Sequence, residues 1–105
     1  MSLNSEQQKE LWEECGLTLK IYSDGTVSYF DSNGYFICFG YPTPDPTNFV
    51  TWVKPELNKR GYQVRITYEP DGTEYTTIKK QGELYRNRDP YVAAYEALTG
   101  KEVNE

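Results

Sequence analysis

Five basic residues in one part of the chain, Arg65, Lys79, Lys80, Arg86 and Arg88, are interleaved with Tyr75 and Tyr85. Cations and aromatic rings that share a sheet face can bind a single-stranded nucleic acid, the cations at phosphates and the rings under bases. The competing arrangement is a solvated face balanced by Glu69, Glu74 and Glu83. A net charge of −5 favours balance over attraction to nucleic acid or anionic membrane. That charge is unevenly spread: −5 over residues 1–53, +3 over 54–88 and −3 over 89–105.

Other chemistries are narrower still. The chain has no histidine, which excludes Ser-His-Asp and Cys-His catalysis in their usual forms and any zinc site that needs His. Cys15 and Cys38 are too few for a four-cysteine metal site. They read as buried, unbonded small hydrophobes. Asp24, Asp31, Asp45, Asp71 and Asp89 could suggest paired-carboxylate hydrolysis, but each falls at a turn or a helix N-cap and has a structural task there. The glycines stand singly at turns, so there is no phosphate-cradling loop. No enzyme, metal or cofactor is expected. Ten tyrosines need places for their hydroxyls. Tyr22, Tyr29, Tyr41, Tyr75 and Tyr85 cannot all be central, and exposed tyrosines suit a protein interface.

The elements that must position these residues follow from periodicity. Gly61 to Ile78 reads as a β-hairpin, with Tyr62, Val64, Ile66 and Tyr68 alternating with polar residues. Pro70-Asp71-Gly72 supplies a three-residue loop with Gly72 in the left-handed region. That loop pairs Glu69 with Thr73, Ile66 with Thr76 and Val64 with Ile78; a two-residue turn would send Ile78 to the other face. Upstream, Ser5 to Gln8 fits a capping box, and Leu11, Trp12 and Cys15 share a helical face that ends at Gly16. Leu17 to Tyr22 and Val27 to Phe30 are strands joined by Ser23-Asp24-Gly25. Asn33-Gly34 predicts a two-residue type I′ turn into a third strand, Tyr35 to Gly40. This strand is apolar on both faces and is expected to be central.

Asp45-Pro46 and Asp89-Pro90 each start a helix, with aspartate as the cap and proline at the first position. Pro55 inside the middle helix predicts a kink or restart near Lys54. Tyr22-Ser-Asp-Gly-Thr-Val-Ser-Tyr29 echoes Tyr68-Glu-Pro-Asp-Gly-Thr-Glu-Tyr75, and shared turn chemistry accounts for the echo. The order is helix, three strands, helix, three strands, helix. The expectation is one α+β domain over residues 1–105: a mostly antiparallel six-stranded sheet built from hairpins and flanked by three helices, with 1–4 and 101–105 frayed.

Three segments carry a resemblance. Leu11-Trp-Glu-Glu-Cys-Gly-Leu17, Phe49-Val-Thr-Trp-Val-Lys-Pro-Glu-Leu57 and Arg88-Asp-Pro-Tyr-Val-Ala-Ala-Tyr95 are similar, in order and spacing, to segments of a group of small bacterial and phage proteins of uncharacterised role. The match covers roughly residues 8–99 and departs at Leu17, where an aromatic is common, and at Tyr95. The resemblance implies a fold like the phage ABA-sandwich domain, with helices on both sides of a sheet, and a phage or prophage origin. It implies no activity.

The functional expectation is a small non-enzymatic accessory or protein-interaction protein. Its partner would be an unidentified protein or a second copy paired through a strand edge. The alternative is a weak single-stranded nucleic-acid binder acting through a basic, Tyr-bearing sheet face. The expected interaction surface is Arg65, Tyr75, Lys79, Lys80, Tyr85, Arg86 and Arg88. The polar N-terminus and the lack of a membrane-length apolar run point to a cytoplasmic protein without membrane contact.

Overall fold

The structure is a computed structural model that describes residues 2–103. Helix α1 (Ser5–Glu14) is capped by Asn4, whose side chain accepts from the Gln7 backbone N–H at 2.8 Å while Gln7 Oε1 accepts from the Asn4 N–H at 2.9 Å. The sequence offers two overlapping boxes, and the one at Asn4 is used instead of the expected one at Ser5. With Asn4 as cap, Leu3 stands just outside the helix and is buried, and Leu11 and Trp12 turn inward. Leu3 and Asn4 are therefore anchored, contrary to the expected fraying. Val103 also packs on the core, and its N–H donates to Glu96 Oε2. Met1 and residues 104–105 lie outside the described residues.

Strands β1 (Thr18–Ile21), β2 (Val27–Phe30) and β3 (Phe36–Phe39) form one antiparallel meander. Strands β4 (Gln63–Tyr68), β5 (Glu74–Lys80) and β6 (Glu83–Asn87) form another. The α+β class and the three flanking helices match expectation, but the single six-stranded sheet does not. Each meander completes its own ladder through hairpins, and the helical segment between β3 and β4 leads the chain away before their edges can pair. β3 is consequently an edge strand with β2 at the centre, and its apolar pattern leaves Phe36 and Phe39 50% and 77% exposed. A register shift after Tyr29 sets Phe30 opposite Phe36. Phe30, Phe36 and Phe39 then meet edge to face.

Three loops share one design. In the Tyr22–Thr26, Asp31–Tyr35 and Glu69–Thr73 loops, a glycine with φ near +87° precedes the returning strand, and an aspartate Oδ1 accepts backbone N–H groups. The Asn33-Gly34 turn is thus a three-residue loop and not type I′. Gly34 alone has positive φ, because Asp31 already holds the Asn33 and Tyr35 N–H groups. The Glu69–Thr73 loop has the expected register: Ile66 faces Thr76 and Val64 faces Ile78.

The middle helical segment, α2, covers residues 46–59. It begins at Pro46–Asn48 under the Asp45 cap, widens to π geometry at Phe49–Val53, and resumes as Lys54–Lys59. The wide turn bonds the Lys54 N–H to the Phe49 carbonyl immediately before Pro55, whose ring crowds the preceding turn and which has no N–H of its own.

Helix α3 (Pro90–Thr99) is the most covered element. Tyr91, Val92, Ala93, Ala94, Tyr95, Ala97 and Leu98 are all buried, against α1 on one side and β5 and β6 on the other. The Arg60 guanidinium joins the C-terminal ends of the three helices. Nη1 donates to the Leu98 carbonyl (3.1 Å), Nη2 to the Glu14 carbonyl (3.2 Å) and Oε2 (2.7 Å), and Nε to Glu56 Oε2 (3.2 Å). Among the described residues, no helix is long and apolar enough to cross a membrane.

Candidate functional site

With α3 packed on one face of β4–β5–β6, the residues that alternate to the other face are left open. Register places Arg65, Thr77 and Arg86 in one row across the three strands, with Lys79 and Leu84 in the row beside it and Thr67 and Tyr75 on the other side. Arg88 follows β6 and reaches the same face, its guanidinium 5.8 Å from the Tyr75 ring centre. The Arg86 guanidinium carbon lies 3.9 Å from that ring's centre, and Arg86 is ion-paired with Glu69. The Thr67 and Thr77 hydroxyls are 3.3 Å apart between the strands. Arg65, Tyr75, Lys79, Arg86 and Arg88 are therefore brought together as expected.

Lys80 and Tyr85 are not part of this surface. Their parity sends them to the helix-covered face, where Lys80 Nζ lies 5.0 Å from the Tyr62 ring and Tyr85 packs edge to face on Tyr62. The Tyr62 and Tyr85 hydroxyls both donate to Glu83. Burial, together with the Glu83 carboxylate, raises both phenol pKa values. Glu83 and Glu74, two of the three acids expected to balance the basic face, lie on this opposite side. Only Glu69 shares the face with the four cations, and Asp71 approaches it from the loop.

A second opening lies on the covered side. The early turns of α2 diverge from the end of β4, leaving a groove of about 360 Å³ walled by Pro44, Phe49, Val50, Val64, Ile66 and Tyr91. Its rim carries Asp45, Glu74, Asp89 and Lys54. Alternation in β4 correctly turns Ile66 toward this side, but α3 does not extend over it, and Ile66 is 56% exposed. Helical spacing places Val50 in one apolar stripe with Phe49, Val53 and Leu57, but Val50 is 61% exposed.

Comparison with protein-family models, curated proteins and solved structures found no match.

The cysteines fit the inert role. Both are free and partly buried. Burial, with a smaller contribution from Glu56, pushes the Cys15 thiol up to about 12, and burial also raises Cys38. Tyr29, one of the five tyrosines that cannot all be central, is fully buried, and its hydroxyl has no partner among the described residues.

Proposed function

We propose that the protein acts by binding and without catalysis, and that the open face of β4–β5–β6 binds single-stranded nucleic acid through its phosphates. This promotes the alternative of the sequence reading above the protein-interaction reading. The carrying observation is the segregation of charge: four cations on one uncovered face, with Glu74 and Glu83 on the other. Glu69 holds Arg86 over Tyr75, which pre-organises a cationic group that a base can approach. Arg65 and Lys79, both exposed, supply the flanking phosphate contacts. A phage or prophage accessory role stays an implication of the resemblance alone.

A fluorescein-labelled oligothymidylate, followed by anisotropy at low and rising salt, tests this reading. With about three phosphates neutralised, log K should fall with log salt with a slope of about −2. An Arg65→Ala/Lys79→Ala double variant should lose most of the signal while keeping its thermal unfolding midpoint. Lack of binding at low salt, or binding that the double variant leaves intact, removes the proposal.

A protein-interaction reading is favoured by a separate observation. β3 is an uncharged edge strand with two exposed phenylalanines, a composition open to pairing with another strand.

A further inference from the structure

The geometry points to a peptide-docking groove at the free edge of β4, independent of the basic face. We propose that it takes an extended segment of another protein, with an apolar and a basic residue two positions apart, as a fourth strand beside β4.

Three observations converge on it. The first is the phase of the ladder. Glu69 donates its N–H to the Thr73 carbonyl across the hairpin. Antiparallel alternation then directs the backbone groups of Thr67 and Arg65 toward β5, and those of Ile66 and Tyr68 away from it. β4 is the edge of its sheet, and among the described residues no loop takes up the Ile66 or Tyr68 N–H. A peptide laid along this edge would find unsatisfied backbone donors and acceptors in register.

The second is the side-chain direction. The residues with outward-pointing backbone groups are those whose side chains face the groove side of the sheet, Val64, Ile66 and Tyr68. An added strand continues the pleat, so every second side chain of the peptide falls beside Ile66 and into the space beneath Phe49 and Val50. The exposed Val50 and Ile66 on facing walls would be covered by one such apolar side chain. Groove, free edge and apolar anchor site therefore share one register.

The third is charge. Three carboxylates, Asp45, Glu74 and Asp89, stand on the rim against the single ammonium of Lys54. The Asp45 and Asp89 carboxylates are directed to the N-cap N–H groups of Asn48 and Tyr91, which fixes their positions and leaves their charge. A lysine or arginine two positions from the apolar anchor points to the same side of the added strand and meets a complementary field there, and an acidic residue at that position is repelled.

The test uses the full chain labelled for amide NMR and three capped synthetic peptides: one with valine and lysine in turn at every second position and serine between them, the same peptide with glutamate for lysine, and the lysine peptide with alternate backbone nitrogens methylated. The valine–lysine peptide should shift the amides of Val50 and of Val64 to Tyr68. Replacing lysine by glutamate, methylating the backbone, or introducing Ile66→Lys should each weaken binding about tenfold or more. Ile66 is more than half exposed, so the Ile66→Lys fold should survive, and an unchanged amide spectrum elsewhere checks that. Equal binding of the methylated peptide would mean apolar contact without strand addition. Equal binding of the glutamate peptide would remove the charge argument. A free protein whose dimer is dissolved by Ile66→Lys would show a second copy in the groove. Each of these, or no shift at all, overturns the proposal. None bears on the nucleic-acid reading, whose surface is on the opposite side of the sheet.

Discussion

In β4–β6 a helix lies across one face, and the central-strand residues Thr76 and Ile78 are buried beneath it. In β1–β3 the central strand buries Ser28 and Tyr29, and the edges expose Ile21, Phe36 and Phe39, as the edges of the second sheet expose Ile66, Tyr68 and Leu84. The two units use the same meander and the same three-residue loop with an aspartate and a left-handed glycine. What separates them is the cover. A three-stranded meander buries one face only where another element lies on it. α3 is apolar nearly all round and fits between α1 and the second sheet, while the first sheet meets the helices mainly at α1.

The largest test of this contrast compares two isoleucines. Ile78 is fully buried under α3, and Ile21 is 66% exposed at the far end of β1. Ile78→Ala should cost about 3 kcal/mol through lost transfer energy and a residual cavity. Ile21→Ala should stay within about 0.5 kcal/mol. Urea unfolding measures both. Similar costs at the two sites would mean that the first sheet is covered in solution, for example by a second copy, and the contrast would fail.

The echo between Tyr22–Tyr29 and Tyr68–Tyr75 shows how far sequence reaches. The loops are the same, so their chemistry was readable from Asp, Gly and Thr. Tyr75 follows its loop glycine by one residue fewer than Tyr29 does, however, and this shifts its phase in the strand. Aligned on the loop glycine, Tyr29 corresponds to Thr76 and Tyr75 to Ser28. Tyr29 accordingly turns into the core, and Tyr75 turns out beneath Arg86. Period-2 alternation gave the register of β4 and β5, and therefore the grouping of Arg65, Tyr75 and Lys79. Lys80 and Tyr85 were misassigned because a stretch of bases was read by proximity in sequence without following the parity of each strand. Whether the two meanders merge is a question of long-range geometry, on which hairpin signals are silent. The central place of β3 failed for the same reason: an apolar run does not say whether a neighbour covers it.

A middle-sized effect belongs to the joint between the two units. Arg60 ties α1, which adjoins the first sheet, to the C-terminal end of α3, which covers the second. Its side chain is about a third exposed, so water screens the Glu14 pair. The bonds to the Leu98 and Glu14 carbonyls need a planar fork that lysine cannot supply. Arg60→Met and Arg60→Lys should each lose about 1–2 kcal/mol. In hydrogen exchange, the amides of β1–β3 should lose protection more than those of β4–β6. Equal loss in both sheets would show that the units unfold as one.

The smallest effect distinguishes the two thiols. Cys15 sits where α1 ends, and Cys38 on the edge strand of the less covered sheet. Both are raised by burial, Cys15 up to about 12. The reactive species is the thiolate, so at mildly alkaline pH a disulfide reagent should modify Cys38 well before Cys15 in the native protein. Both thiols should titrate once the chain is denatured without reductant; a missing pair would mean a disulfide. The same shift has a consequence for stability. Near pH 9 and above, the unfolded chain releases the Cys15 proton while the folded chain retains it, so folded molecules bind more protons than unfolded ones. Stability must therefore fall as pH rises from about 9 toward 12, with no contribution from this group below that window. Replacing Cys15 by alanine should flatten that part of the alkaline limb, and replacing Cys38 should flatten it less. Native Cys15 reacting as fast as Cys38 would place the end of α1 in the looser half of the molecule and move the boundary between the two units into the helical layer.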